Sequence, residues 1–339
     1  MPPIAPRHAC GQLRRSVLLA ASICQLIACS SAADRALDVA SHAASDGGDA
    51  ATPDATADVA ADGVVADTAP ALRRCNGYPE LCARRLDEIV FPATHNSMAN
   101  ADEGWLGPNQ THGLARQLDD GVRALLIDTH AWNGGAYLCH GVCEFGNLPL
   151  VDGLTVIREF LDGHPDELVI LVIEDHLDTA PTVDAFTASG LDGYLLTLPP
   201  GERPPVLADA LDAGTRLLVA LESGRPPPAW YHHVWDYAFD TPYSFDSPEA
   251  FSCECNRGCA GREAKPFFLL NHFITRGIGS VDDAAAVNQR EVLLTRALAC
   301  QEALGHLPNL VAVDFYEQGD LLAVAAELNG VVSAPAPSR

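Results

Sequence analysis

Apolar residues in this chain gather in short, near-continuous runs separated by longer stretches of helical spacing. The runs at 86–91 (LDEIVF), 122–129 (VRALLIDT), 136–139 (AYLC), 167–173 (ELVILVI), 216–221 (RLLVAL), 267–270 (FFLL) and 310–315 (LVAVDF) predict strands. Segments 113–120, 154–161, 284–304 and 320–328 predict helices, the second stopping at Gly163-His164-Pro165. Strands that are apolar on both faces and alternate with helices imply a parallel sheet covered on both sides. Over roughly 260 residues this suits a TIM-like (β/α) barrel of the α/β class better than an open doubly wound sheet. No G-x-G-x-x-G follows the first strand, which removes the main support for a dinucleotide fold.

The pattern breaks down before residue 73. Arg7, Arg14 and Arg15 precede an apolar segment at 16–27 that is too short for a mature membrane span and reads as an export signal. It ends in Leu26-Ile27-Ala28-Cys29, which resembles the lipobox of bacterial lipoproteins, with Cys29 as the lipidated residue. Residues 30–72 hold eight aspartates and no aromatic residue, a composition that cannot bury enough apolar surface to offset ordering entropy. The expected organisation is therefore signal peptide 1–29, flexible tether 30–72, barrel 73–330 and tail 331–339. The tether carries part of the net charge of -24, and Lys265 is the single lysine, so nucleic acid is excluded as a partner. A membrane-anchored, exported monomer is expected.

Cysteine usage agrees with export. Of eleven cysteines, three lie in the signal segment, leaving Cys75, Cys82, Cys139, Cys143, Cys253, Cys255, Cys259 and Cys300. An even number in an exported domain predicts disulfides, with Cys75–Cys82 and Cys139–Cys143 as the local pairs. The cluster at 253–259 with Cys300 admits a thiolate metal site. The absence of paired C-x-x-C spacing favours two further disulfides.

Barrels of this kind gather their reactive groups at the C-terminal ends of their strands. Here those ends carry His95 and Asn96, Asp128 and His130, His140, Glu174 and His176, Asn271 and His272, and Asp314. Asp128 and His130 are two apart and project to one side, as do Glu174 and His176, while Asp175 faces the other way. Singly, a strand-end aspartate caps the next helix and a lone histidine packs or is solvated. Six such ends together point to a shared pocket. Two histidines can exchange protons near neutral pH, and an amide oxygen with two carboxylates offers hard ligands for Ca²⁺ or Mg²⁺. That set suits phosphoryl transfer.

The segments FPATHNS (91–97), QLDDGVRALLID (117–128), YLCHG (137–141), FLDGHPDELVILVIED (160–175) and VAVDFY (311–316) occur in one order. They resemble the catalytic X domain of the phosphatidylinositol-specific phospholipase C superfamily, over roughly residues 75–330. The resemblance implies that His95 is the general base, that His140 is the general acid and that Asp314 orients the first histidine. It implies a cyclic phosphodiester as the first product. It further implies that Asn96, Asp128 and Glu174 hold a divalent cation, Ca²⁺ first and Mg²⁺ second. His130, His176, His272 and Tyr316 are assigned to substrate contact. Leu126 stands where metal-dependent members carry another acid, and His130 would replace that ligand only by shifting the preference toward a transition metal. Glu222 and Ser223 stand where relatives that bind phosphorylated inositol tend to be basic, so a phospholipid or glycolipid with an unphosphorylated headgroup is expected. Two other readings compete. A glycerophosphodiester phosphodiesterase would need His-Arg-Gly and E-x-D signatures that are missing here, and a non-catalytic lipid- or glycan-binding barrel would not need both histidines.

Overall fold

The computed structural model describes residues 72–331. The expected signal peptide with Cys29, nearly all of the tether and nearly all of the tail lie outside the described residues. Eight strands run in the order β7-β6-β5-β2-β1-β10-β9-β8, every neighbouring pair parallel. They are β1 Phe91–Thr94, β2 Ala124–Trp132, β5 Val169–His176, β6 Leu217–Leu221, β7 His232–His233, β8 Ala238–Asp240, β9 Phe267–Asn271 and β10 Leu310–Val313. Two short strands, β3 Gly135–Leu138 and β4 Leu148–Pro149, extend β2 antiparallel at its C-terminal end.

Strand parity sorts the core into two parts. Phe91, Ala93, Ala124, Ile170, Val172, Leu218, Ala220, Ala238, Phe267, Leu269, Leu310 and Ala312 face one another and fill the barrel interior. Their alternates, among them Leu125, Ile127, Leu171, Ile173, Val219, Leu270, Val311 and Val313, face outward beneath the helices. These helices include α1 Leu114–Asp120, α2 Leu150–Gly163, α3 Thr179–Ser189, α4 Leu207–Asp212, α6 Val281–Val287, α7 Arg290–Leu304 and α8 Leu321–Leu328, with one short turn, α5 Val234–Tyr237, joining β7 to β8. α2 buries Leu150, Leu154, Ile157, Phe160 and Leu161, the i, i+4, i+7 spacing of one apolar stripe. The barrel floor keeps a wholly apolar void of about 30 Å³, room for a single water and no polar partner for it.

Three expectations change. The predicted strand at 86–91 is a 3₁₀ turn, Leu86–Glu88, closed by the Arg85 amide donating to Glu88 Oε2 at 3.1 Å; pairing begins only at Phe91. The single helix at 284–304 is two helices, because the chain turns extended at Gln289, one residue after the C-cap Asn288. The Asn288 side chain donates to the carbonyls of Asp314 (2.8 Å) and Phe315 (3.4 Å). α3, α4, β7 and β8, which have weak or short apolar patterns, were not foreseen.

All eight described cysteines pair: Cys75–Cys82, Cys139–Cys143, Cys253–Cys300 and Cys255–Cys259. Both local pairs match expectation, and the 253–259 cluster forms disulfides as favoured over a thiolate metal site.

Candidate active site

Extending the interior parity past each strand end gives the polar ring of the mouth: His95, Asp128, Glu174, Glu222, Asp240, Asn271 and Asp314. Most of them line a cavity of about 180 Å³ with Asn96, Leu126, Tyr243, Arg257 and Phe273, about six water volumes.

His95 is fixed on three sides. Its Nδ1–H donates to Asp314 Oδ1 at 2.8 Å, its ring lies parallel on Phe273 at 3.8 Å, and its carbonyl accepts from Gln110 Nε2 at 2.8 Å. In the neutral ring this tautomer makes Nε2 the bare nitrogen, the form a base needs. Asn96 follows with φ of +45°, a left-handed conformation that asparagine tolerates better than most residues. Its Nδ2 donates to Asn109 Oδ1 and to His140 Nε2, each at 3.2 Å. His140 sits on the loop after β3, pinned by Cys139–Cys143. The residue as a whole is exposed, with its Nε2 against the Asn96 amide. Partial desolvation of the ring, then His95 nearby, lower its pKa below the ordinary imidazole value.

The opposite wall was not foreseen as a unit. Arg257 donates through Nη1 to both Glu222 oxygens (2.9 and 2.8 Å) and through Nη2 to Asp240 Oδ2 (2.6 Å), and its plane lies between Trp235 and Tyr243 at 4.3 and 4.4 Å. The loop reaches this position because Gly258, at φ +70°, passes over β8 so closely that a Cβ would lie 2.3 Å from the Ala238 carbonyl. Burial pushes Glu222 up to about 7 despite Arg257. No local pattern marks Arg257, which comes from a cysteine-rich loop with no helical or strand period.

Asp128 is buried, and no described residue hydrogen-bonds its carboxylate. Desolvation, then Glu174 and Glu222, raise its pKa well above the ordinary carboxylate value. An unpaired carboxylate repelled by two others lacks a positive charge, and Asn96 and Glu174, which line the same cavity, offer further hard oxygens. The donor set therefore fits a hard divalent cation. It comprises two carboxylates and one amide oxygen; among the described residues no three His, Cys, Asp or Glu side chains form a metal cage by themselves. Leu126 lines the cavity without a ligand atom, and the oxygens of Glu222 are taken by Arg257.

The other assignments divide. His130 and His176, paired in register on β2 and β5, stack at 4.4 Å on the rim, and His176 donates to Glu174 Oε1 at 3.0 Å. The structure does not bring His272 or Tyr316 to the cavity. His272 has the opposite parity to Asn271 and is wholly buried, donating to the Val287 carbonyl (2.9 Å) and accepting from Arg296 (3.1 Å). Tyr316 lies beneath α1 with its hydroxyl on Asp120 Oδ2 at 2.7 Å. Both expectations are corrected: each side chain already has its polar partners in the protein's outer layer.

The parallel α/β barrel thus carries a carboxylate-oriented histidine, a second histidine and an acidic mouth at its C-terminal strand ends. The PI-PLC X family model (PI-PLC X 1) matches residues 81–329, and the chain belongs to this family. It is 30% identical over 282 residues to a PI-PLC X domain-containing protein of Arthroderma benhamiae, covering 76% of this chain and 90% of that one. It is 26% identical to a PI-PLC X domain-containing protein of Arabidopsis thaliana, covering 76% of this chain and 64% of that one. A histidine-to-tyrosine mutant of the phosphatidylinositol-specific phospholipase C from Staphylococcus aureus superposes with a TM-score of 0.50 at 14% identity, over 74% and 95% of the two chains. That likeness establishes the TIM-like barrel fold.

Proposed function

We propose that this protein is an exported phosphodiesterase that cleaves the headgroup of a phospholipid or glycolipid by paired histidine acid–base catalysis. The observation that carries the reading is the His95–Asp314 pair at the cavity wall, with His140 linked to the same wall through the amide of Asn96. His95 takes the proton of a headgroup hydroxyl next to the phosphodiester, that hydroxyl attacks phosphorus, and a cyclic phosphodiester forms as the lipid alcohol leaves. His140 delivers the proton to the leaving oxygen. Asn96, Asp128 and Glu174 would hold a divalent cation, Ca²⁺ or Mg²⁺, whose charge would offset that on the phosphate oxygens. The chain's own part is to orient His95 through Asp314 and Phe273 and to keep the mouth acidic, which disfavours headgroups bearing further phosphates.

Apolar side chains on the mouth loops support a substrate held in a lipid surface. Leu106, Phe145 and Ile278 are 67, 54 and 68% exposed, on three loops that touch one another. The Leu106 amide donates to the Phe145 carbonyl at 2.7 Å, and Ile278 packs against Gly107. Exposed apolar clusters of this kind mark membrane or protein contacts.

The test is incubation of the full chain with phosphatidylinositol vesicles, following a cyclic phosphodiester by ³¹P NMR. Release is expected, lost with chelator and restored by Ca²⁺, and faster on vesicles than on a monomeric short-chain substrate. Silence across a broad phosphodiester panel would sink the enzyme reading, and indifference to chelator would sink the cation. Export is supported by four disulfides and by 29% identity to a protein of Arthroderma benhamiae described as an uncharacterized secreted protein, of which the chain spans 64%. Lipidation at Cys29 is checked by fractionation: Cys29→Ala is expected to move the protein from membrane to soluble fraction, and unchanged fractionation would exclude the anchor.

A further inference from the structure

Asn109 belongs to none of the motifs discussed above, yet it is 4% exposed and bonded to both halves of the site. Its Nδ2 donates to Asp314 Oδ2 at 3.1 Å, and its Oδ1 accepts from Asn96 Nδ2 at 3.2 Å. Its backbone is tied down as well. Its amide donates to the Ala99 carbonyl at 2.9 Å, and its carbonyl accepts from the Phe315 amide at 2.8 Å. The loop carrying Gly279 lies directly on it, so closely that a Cβ there would stand 2.3 Å from the Pro108 carbonyl and 3.1 Å from Asn109 Cα.

We propose that Asn109 is a positioning residue that sets the direction of a hydrogen-bond chain joining the two histidines, and through it the orientation of the Asn96 amide and the tautomer of His140.

The direction follows from what each group can donate. The Asp314 carboxylate only accepts, so His95 presents Nδ1–H to one oxygen and Asn109 presents its NH₂ to the other. An amide has one donor end and one acceptor end, so the far end of Asn109 is an oxygen. That oxygen requires the NH₂ of Asn96; the reversed Asn96 amide would place two acceptor oxygens against each other. The second hydrogen of the same NH₂ meets His140 Nε2 at 3.2 Å, so Nε2 is bare and the ring proton sits on Nδ1. One carboxylate thus fixes the tautomers of two histidines through two buried amides. The same arrangement leaves Asn96 Oδ1 without a partner and available to the cavity. Thr94, Ser97 and Gln117 form a separate buried network beside it and do not join the chain.

This inference rests on the proton-transfer reading of His95 and His140, but its test needs no turnover. Imidazole ¹⁵N shifts of the labelled full chain, at mildly alkaline pH, report which ring nitrogen carries the proton. The wild type is expected to show a bare Nε2 and a protonated Nδ1 for both His95 and His140. In Asn109→Leu, His140 is expected to lose that single state and become a mixture of tautomers, while His95 keeps its state through Asp314. In Asn109→Asp the new carboxyl must hold a proton against Asp314 Oδ2; it then donates there and accepts from Asn96 as the amide did, and His140 is expected to stay as in the wild type. An Nε2–H tautomer at His140 in the wild type overturns the proposal. So does an Asn109→Leu spectrum identical to wild type at His140, or loss of the single state in both variants alike. Should Asn109→Leu fail to fold, Asn109→Ala removes the same oxygen with less bulk. A wild type with these tautomers and no turnover would sink the enzyme reading and leave this inference standing.

Discussion

Turnover is expected to fall by roughly 10²–10⁴-fold in His95→Ala, the range that a positioned acid or base contributes. The loss follows from geometry: His95 Nδ1 is bound to Asp314, its ring stacks on Phe273, and it is the one histidine among the residues that line the cavity, so no neighbour there takes over its Nε2. His140→Ala is expected to lose a similar factor on a substrate with a poor leaving group and much less on one whose leaving alcohol needs no proton. That split separates the acid from the base. Asp314→Asn keeps the shape but offers an amide to His95 and to Asn109, so a smaller loss of turnover with little change in KM is expected. Far-UV circular dichroism should match wild type in both histidine variants; the melting temperature should hold in His140→Ala, whose side chain is exposed, and fall somewhat in His95→Ala, which leaves buried Asp314 without that partner. Full activity in His95→Ala would remove the mechanism.

The second large effect concerns stability in acid. His272 is wholly buried, and desolvation, together with Arg296, pulls its pKa down to about 3, while in the unfolded chain it titrates near 6.5. Between those values the unfolded chain binds a proton that the native chain refuses, so unfolding is favoured as pH falls through 6.5 toward 3. The slope from this one group is about 1.4 kcal/mol per pH unit within that window. Glu222 works in the opposite sense: its raised pKa, about 7, means the native chain binds the extra proton as pH falls. The clean measurement is therefore a difference. His272→Asn keeps a short acceptor toward Arg296 but does not titrate, and chemical unfolding at several pH values is expected to show a flatter acid limb than the wild type. It should also be less stable at neutral pH, where its contact with the Val287 carbonyl is lost. Parallel limbs would mean that His272 is not the titrating group. Arg296, buried against Phe245 and Phe251 with its pKa lowered to about 9 by desolvation, keeps its charge across this acid range.

Much of the fold was readable because strand alternation is a local, covalent property. ELVILVI and VRALLIDT announce buried parallel strands, and two-residue spacing alone puts Asp128 with His130 and Glu174 with His176 on one side. The same rule, applied one residue further, separates Asn271 from His272 and shows why the latter is an outer-layer residue. Where patterns were short, prediction failed: β7 and β8 have two and three residues, too few to register any period. The break at Asn288 was invisible because its cause is 26 residues away, in the Asp314 carbonyl that its side chain holds.

FPATHNS determined by itself that a histidine and an amide end the first strand, and the ordered motifs determined which carboxylates accompany them. Only the tertiary structure decided which polar residues join them. It placed Asn109 on Asp314 across 205 residues of chain and Arg257 on Glu222 across 35. It also left Asp128 without a partner among the described residues. The physical reason is range: side-chain direction along a strand is set by neighbouring peptide units, whereas a buried hydrogen-bond partner is whichever distant segment packing delivers within about 3 Å.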